Sequence, residues 1–381
     1  MNISQQNNQS TGNSEPGKLR SGNPLIIAGP CSAETPEQLM QTASALALDH
    51  RVDYFRAGIW KPRTTPDSFQ GVGAPGLQWL QEVRKQTGLK VTTEVGSPKH
   101  VEEALKADID MLWIGARTVS NPFVIQEIAD ALRGTDIPVL VKNPLSPDID
   151  LWEGAINRML RTGIKEVGAI HRGFFWWGKS FMRNQPFWHI PLELKRRMPG
   201  LLMINDPSHI AGKRDLIAQL SHRAMEHDFS GLMIEVHPTP EKAWSDAAQQ
   251  LTPRDFLLLM DELFGTEPES SETALLDELR AEVDSMDEML VWALSVRMEL
   301  ASKIAEVKKE AGLNSLQTGR WQEVLDKVKT LGAQSGMDPD FVEKVYNYIH
   351  IQSLSLQNGV LKTGGSKTND VQTKKEHNFV L

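Results

Sequence analysis

Pro24-Leu25-Ile26-Ile27-Ala28-Gly29-Pro30-Cys31-Ser32 is a short apolar run that stops at Gly-Pro and turns at once to a thiol and a hydroxyl. Further on, the run Val52 to Phe55 passes through Arg56 to Lys61-Pro62-Arg63-Thr64. A Gly/Pro break directly after a buried strand exposes the next side chains at the sheet end, where a site can be built. Between Pro24 and His237 there are eight short apolar runs: Leu25 to Ala28, Tyr54 to Ala57, Val91 to Val95, Met111 to Gly115, Val139 to Lys142, Val167 to Ile170, Leu201 to Asn205 and Leu232 to Val236. Amphipathic stretches such as Glu37 to Leu48, Gly76 to Lys85 and Pro98 to Lys106 alternate with them. Eight strand and helix pairs over roughly 250 residues match the usual size of an α/β fold of the (β/α)8 type, a TIM barrel. A doubly wound open sheet is the alternative. Against it, no glycine fingerprint of the dinucleotide type follows any strand, and polar residues cluster after most strands rather than at one switch point. The barrel is expected over residues 22–264.

Gly265-Thr266-Glu267-Pro268-Glu269-Ser270-Ser271 breaks helices, so 265–273 reads as a linker. Beyond it, Leu275, Leu279, Val283, Met286, Leu290, Ala293, Val296 and Leu300 recur at spacings of three and four, which predicts one long amphipathic helix over Ala274 to Ala311. Two more helices are expected, about Gly319 to Leu331 and Asp338 to Gln357, the latter opened by a capping Asp and a first-turn Pro. An all-α domain therefore occupies 274–360. The polar ends, 1–21 and 361–381, are expected to be disordered. No internal repeat is present.

The 381 residues carry a formal charge of -8, so non-specific attraction to nucleic acid or to an anionic membrane is not expected, and anionic ligands must be caught by local basic clusters. The single cysteine excludes an intramolecular disulfide, the first residues contain no apolar signal core, and no apolar stretch approaches the ~18 residues of a spanning helix. A cytoplasmic protein is expected.

Cys31 ends strand one, His209 lies in Asp206-Pro207-Ser208-His209 after strand seven, Glu235 ends strand eight and Asp246 follows in the next loop. Closure makes strands seven, eight and one neighbours. Singly, each residue has an ordinary structural explanation; together, thiolate, imidazole and two carboxylates suit a divalent transition ion of borderline softness. Six cations sit after barrel strands in the same way: Arg56, Lys61, Arg63, Arg117, Lys142 and Arg172. Surface ion pairing explains any one of them. Six in an acidic protein imply a ligand with several anionic groups, and phosphorylated substrates are expected.

These residues resemble the 3-deoxy-D-arabino-heptulosonate 7-phosphate (DAHP) synthases of type Iβ, across about Pro24 to Gly265. Gly-Pro-Cys-Ser, Lys-Pro-Arg-Thr, Ile114-Gly115-Ala116-Arg117, Asp-Pro-Ser-His, Glu235-Val236-His237-Pro238 and Ser245-Asp246 stand in the family's order. The resemblance implies condensation of phosphoenolpyruvate with erythrose 4-phosphate. It implies a divalent ion, with manganese expected and iron, cobalt or zinc as alternatives, held by Cys31, His209, Glu235 and Asp246. By the same likeness Arg56, Lys61, Arg117, Lys142 and Arg172 would hold phosphoenolpyruvate, Arg63 and Thr64 the aldose phosphate, and Lys61 would supply a proton. An eight-carbon synthase using arabinose 5-phosphate is the nearest alternative, but such enzymes usually carry Ala-Asn-Arg-Ser where this chain has Pro62-Arg63-Thr64. The chain departs from the pattern at Asn143-Pro144, where relatives often have Arg-Gly, and at the aromatic stretch Phe174-Phe175-Trp176-Trp177 with Phe181, Phe187 and Trp188. That cluster is expected to pack against barrel helices, or to dock the helical domain. Only about twenty polar residues precede Pro24, so no ferredoxin-like regulatory extension is expected there.

On the long helix Arg297 and Lys308 are eleven residues apart and share a face to within about twenty degrees, whereas Arg280, seventeen before Arg297, points about a quarter turn away. Ser353 and Gln357, at i and i+4, share a face of the last helix, and Arg320 opens the middle one. This segment resembles the all-helical chorismate mutases, whose site is Arg, Arg, Lys, Arg, Ser and Gln at this spacing. In that family the first Arg serves the partner subunit, which fits the phase of Arg280 and implies a homodimer with intertwined long helices. The implied reaction converts chorismate to prephenate, with Arg280, Arg297 and Arg320 on the carboxylates and Lys308 and Gln357 on the ether oxygen. Gln317 stands where an acid is common, and Trp321 where a glutamate contacts the substrate hydroxyl. The alternative is a helical module that dimerises or senses ligand without catalysis. Ligand at the helical site, chorismate or prephenate, is expected to inhibit the barrel.

Overall fold

The computed structural model describes residues 23–63, 65–177, 181–265 and 274–362; Thr64, most of the expected linker and the two polar ends lie outside that range. Eight parallel strands close into a barrel in sequence order. They are β1 (Leu25–Gly29), β2 (Val52–Arg56), β3 (Lys90–Val95), β4 (Met111–Ile114), β5 (Val139–Lys142), β6 (Val167–His171), β7 (Leu202–Asn205) and β8 (Gly231–Glu235). Each expected strand forms, shifted by no more than two residues. β2 reaches back to Val52, paired with Ile26, because Asp53 accepts a hydrogen bond from the Ile26 backbone N–H at 3.0 Å.

Inward-facing Leu25, Ile27, Tyr54, Met111, Trp113, Leu140, Ile170, Ile204 and Met233 fill one buried cluster, as the layered interior of such a barrel requires. The register between β1 and β8 runs from Leu25 opposite Gly231 to Gly29 opposite Glu235. Gly29 adopts φ +147°, and a Cβ there would stand 2.1 Å from the Arg56 carbonyl oxygen, so only glycine lets the ends of β1 and β2 meet this closely.

The aromatic stretch divides. Phe174, Phe187 and Trp188 are buried, Trp188 lying 5.1 Å from the His171 ring, whereas Phe175, Trp177 and Phe181 are exposed. Asn143, at the first departure from the resemblance, is buried and stitches two loops together, donating to the Gly173 carbonyl at 2.8 Å and accepting from the Arg172 N–H at 2.7 Å.

His171 is fully buried, with Nε2 2.6 Å from the Pro186 carbonyl and Nδ1 3.0 Å from Asn205 Nδ2. A carbonyl can only accept, so Nε2 carries the proton and Nδ1 accepts from Asn205. Burial pushes the ring's pKa from 6.5 down to about 3. Above the ordinary value the group is neutral in both states and costs nothing. As pH falls below it, the unfolded chain binds a proton that the native ring refuses, and each pH unit down to about 3 costs about 1.4 kcal/mol. Stability to urea is expected to fall between about pH 7 and pH 5, with His171→Gln removing that part of the slope. A slope unchanged by the substitution would refute the assignment.

Downstream, helices Ala274–Glu310, Thr318–Gln334 and Pro339–Lys362 form. The chain divides into two compact units within the first of them, between Val283 and Asp284. The second unit buries Ala301, Ala305, Leu325 and Val342. Much of the expected apolar stripe is nevertheless exposed in the single chain: Leu290 at 59%, Leu300 at 53%, and beside them Val291 at 68%. Among the described residues no helix is long and apolar enough to cross a membrane.

Candidate active sites

The carboxyl ends of the strands bring the barrel residues together. Ligand atoms of Cys31, Glu235 and Asp246 lie within 4.8 Å of one another. Cys31 Sγ is 3.2 Å from Asp246 Oδ2, and His209 Nε2 approaches Glu235 Oε1 at 3.7 Å. The Asp206-Pro207-Ser208-His209 motif works locally: Asp206 caps the helix Pro207–Ala211 by accepting the His209 backbone N–H at 3.1 Å, and the same carboxylate holds His209 Nδ1 at 2.8 Å. Burial opposes ionisation of Asp206, but His209 and Lys142, the latter at 2.8 Å, outweigh it and hold the carboxyl well below the usual range. Burial also lowers the His209 pKa; in the neutral ring, Nδ1–H donates to Asp206 and the Nε2 lone pair is left for a ligand.

Cys31 is fully buried, and burial together with the nearby Glu235 pushes its thiol up to about 12. The protonated thiol donates to Asp246, while Lys61 Nζ donates to the sulfur at 3.2 Å and to the Cys31 carbonyl at 2.9 Å. For Lys61 burial disfavours the charge, but Cys31, Glu94 and Glu235 outweigh it and raise the pKa, so the ammonium persists. Asp246 adopts a left-handed φ of 48°, which aspartate tolerates better than most residues. A thiol and two carboxylates gathered at this spacing fit a divalent cation; the His209 imidazole stands beside them, within reach of Glu235 but outside the group of atoms lying within 4.8 Å of one another.

Around this cluster a cleft is lined by Lys61, Arg63, Arg117, Lys142 and Arg172, five of the six expected cations. The sixth, Arg56, lies beneath it, 1% exposed, with Nη2 donating to Glu235 Oε1 at 3.1 Å and its guanidinium 4.9 Å from the Trp113 ring centroid. Its Nε and Nη1 are buried and have no hydrogen-bond partner among the described residues. Arg63 donates to the Phe69 carbonyl and comes within 4.0 Å of Asp246, while Thr64 lies outside the described residues. Burial lowers the pKa of Lys142 and brings that of Arg172 down to about 10.

Sequence reasoning missed three polar residues here. Glu94, near the end of β3, lines the cleft and accepts from Trp113 Nε1 at 3.3 Å; a carboxylate next to the last residue of a buried strand is the signal that marks it in the sequence. Arg183, in the loop after β6, and Gln249, at the end of the 3-10 turn Ala247–Gln249, touch the ligand carboxylates from positions that no motif marks.

In the helical unit Arg297 Nη1 donates to Ser353 Oγ, and Lys308 Nζ donates to Gln357 Oε1 at 3.1 Å and to the Ser315 carbonyl at 2.7 Å. The shared faces expected for these four residues are formed. Arg320 is not gathered with them; it is exposed and paired with Glu323 at 2.8 Å. Arg280 is exposed. Trp321 stacks on His350 with centroids 3.9 Å apart and planes 9° from parallel.

Residues 6–266 match the DAHP synthetase I family. The chain belongs to that family. Its DAHP synthase segment is 34% identical over 250 residues to a phospho-2-dehydro-3-deoxyheptonate aldolase of Thermotoga maritima, covering 65% of this chain and 70% of that protein. A crystal structure of the DAHP synthase from that organism superposes with a TM-score of 0.57 at 33% identity, covering 64% of this chain and 68% of the other. A 2-dehydro-3-deoxyphosphooctonate aldolase of Variovorax paradoxus is 26% identical over 274 residues, 67% of this chain and 94% of its own. Residues 279–358 match the chorismate mutase type II family. The protein is a bifunctional shikimate-pathway enzyme, a DAHP synthase followed by a chorismate mutase.

Proposed function

We propose that the barrel condenses phosphoenolpyruvate with erythrose 4-phosphate at a divalent cation held by Cys31, His209, Glu235 and Asp246, with manganese the expected ion. The reading is carried by buried Arg56, two of whose nitrogens lack partners among the described residues, together with a cleft lined by five further cations. Buried donors left unpaired are costly, so an anion that fills them binds strongly. Arg56, Lys61, Arg117, Lys142 and Arg172 hold the phosphate and carboxylate of phosphoenolpyruvate; Arg63 and Thr64 hold the aldose phosphate. When bound, the cation supplies Lewis-acid polarisation of the aldehyde. Carbon three of phosphoenolpyruvate attacks the aldehyde carbon, the Lys61 ammonium hands a proton to the oxygen that becomes the new hydroxyl, and water adds to carbon two, where the bond to the phosphate oxygen breaks. The water's protons go to Lys61 and to the departing inorganic phosphate, leaving the keto group. Incubation with erythrose 4-phosphate and, separately, with arabinose 5-phosphate tests substrate choice. The four-carbon aldehyde is expected to turn over; a preference for the pentose would favour the octulosonate alternative.

The helical domain rearranges chorismate to prephenate without a cofactor. Arg297 and Arg320, with Arg280 from a partner subunit, clamp the carboxylates in the compact conformer, a proximity effect. Arg320 must leave Glu323 to do so. Lys308 and Gln357, already hydrogen-bonded to each other, donate to the ether oxygen as its charge develops. The exposed apolar stripe on the long helix supports a homodimer, because a patch of this kind on a lone chain calls for a partner. Prephenate at the helical site inhibits the barrel, a coupling that must be reciprocal in binding. Equal synthase rates with and without saturating prephenate would rule this out. The protein acts in the cytoplasm on small molecules, without nucleic acid or membrane.

A further inference from the structure

The ligand-bearing segments at the barrel mouth are joined by side chains that carry no ligand. Arg183, from the loop after β6, donates through Nη1 to Asp246 Oδ1 at 3.0 Å and to Gln249 Oε1 at 2.8 Å. Gln249, 1% exposed, passes the connection on: its Nε2 donates to Glu235 Oε2 at 2.7 Å. Each carboxylate thus has one oxygen tied back. The oxygens turned toward the cluster are Asp246 Oδ2, beside the Cys31 sulfur, and Glu235 Oε1, beside His209 Nε2 and also accepting from Arg56 Nη2 at 3.1 Å.

The same strap holds the His209 segment. The Arg183 N–H donates to the Ala211 carbonyl and the Asn184 N–H to that of Ile210, each at 3.1 Å, while Asn184 Nδ2 donates to the His209 carbonyl at 2.7 Å. Gly212, left-handed at φ +69°, ends the His209 helix where any Cβ would stand 2.4 Å from Arg183 Cβ, so the close approach depends on glycine.

We propose that Arg183 and Gln249 are positioning residues for the cation, one strut that orients both carboxylate ligands and ties the Asp246 loop to the His209 helix. The proposal rests on the assignment of a divalent cation to Cys31, His209, Glu235 and Asp246. An amide is suited to the middle of the strut because it accepts from the guanidinium at one end and donates to the carboxylate at the other, which neither an acid nor an apolar side chain can do. Outer partners of this kind typically hold ligands in place strongly enough that losing one weakens the metal by about tenfold to a hundredfold.

The test is cobalt(II) titration of the metal-stripped full-length protein, read by calorimetry and by the sulfur-to-cobalt absorption band. Gln249→Met, of similar volume without the amide, is expected to lower cobalt affinity roughly tenfold to a hundredfold, with the band still appearing at saturation. Arg183→Met, at a half-exposed position where folding is less at risk, is expected to do the same, and the double variant to lose little more than either alone because both act through one strut. Wild-type affinity in both single variants would overturn the proposal while leaving the cation site standing. Absence of the band in the wild type, or equal affinity in Cys31→Ala, would overturn the cation assignment itself and the proposal with it.

Discussion

Cys31→Ala is expected to lower DAHP formation by about 10³-fold while chorismate turnover in the same sample stays at the wild-type rate. The sulfur is one of three ligand atoms within 4.8 Å, and its loss leaves Glu235 and Asp246 facing each other with a weakened cation between them. Lewis-acid polarisation is worth several kcal/mol in such reactions, and each 1.36 kcal/mol is tenfold in rate. Folding is not the cause expected. Cys31 is a small buried side chain, and its backbone N–H keeps the Gln250 Oε1 bond at 3.0 Å. Synthase activity within a few-fold of wild type at saturating cation would show that the sulfur is not a ligand that matters. Loss of both activities would point to a damaged fold instead.

Arg297→Ala is expected to cut chorismate turnover roughly 10²–10³-fold, the usual effect of removing one preorganised donor, with DAHP synthesis in the absence of prephenate unchanged. Burial lowers the pKa of Arg297, and its guanidinium is held by Ser353 on the last helix, so the donor is aimed before substrate arrives. Sedimentation should show the oligomer of the parent protein. A variant that keeps full mutase turnover contradicts the assigned role. If the parent protein itself failed to rearrange chorismate, the helical domain would be a ligand sensor rather than a catalyst.

The barrel was legible because most strands are short, largely apolar runs ended by Gly, Pro or charge. The ligand and cation sets were legible because parallel closure places every strand end at one mouth. Asp206 was visible inside its motif, yet its double hold on His209 and Lys142 depends on a side-chain rotamer and not on spacing. Arg183 and Gln249 act through hydrogen bonds to other residues, from loops whose path no periodicity specifies. In the helical unit, the shared faces of Arg297 with Lys308 and of Ser353 with Gln357 followed from 3.6 residues per turn. The Trp321–His350 stack joins two helices at positions 29 residues apart, and Arg320 is drawn to Glu323 one turn away, a choice between local and distant partners that spacing does not decide.

On the proposed reading one cation, gripped by Cys31, His209, Glu235 and Asp246, runs the barrel chemistry and has no part in the helical chemistry. Stripping the full-length enzyme with a chelator, then assaying phosphoenolpyruvate with erythrose 4-phosphate and chorismate side by side before and after adding manganese, tests it most directly. DAHP formation should vanish and return with manganese while prephenate formation stays constant; an undiminished DAHP rate in the stripped enzyme would contradict the claim.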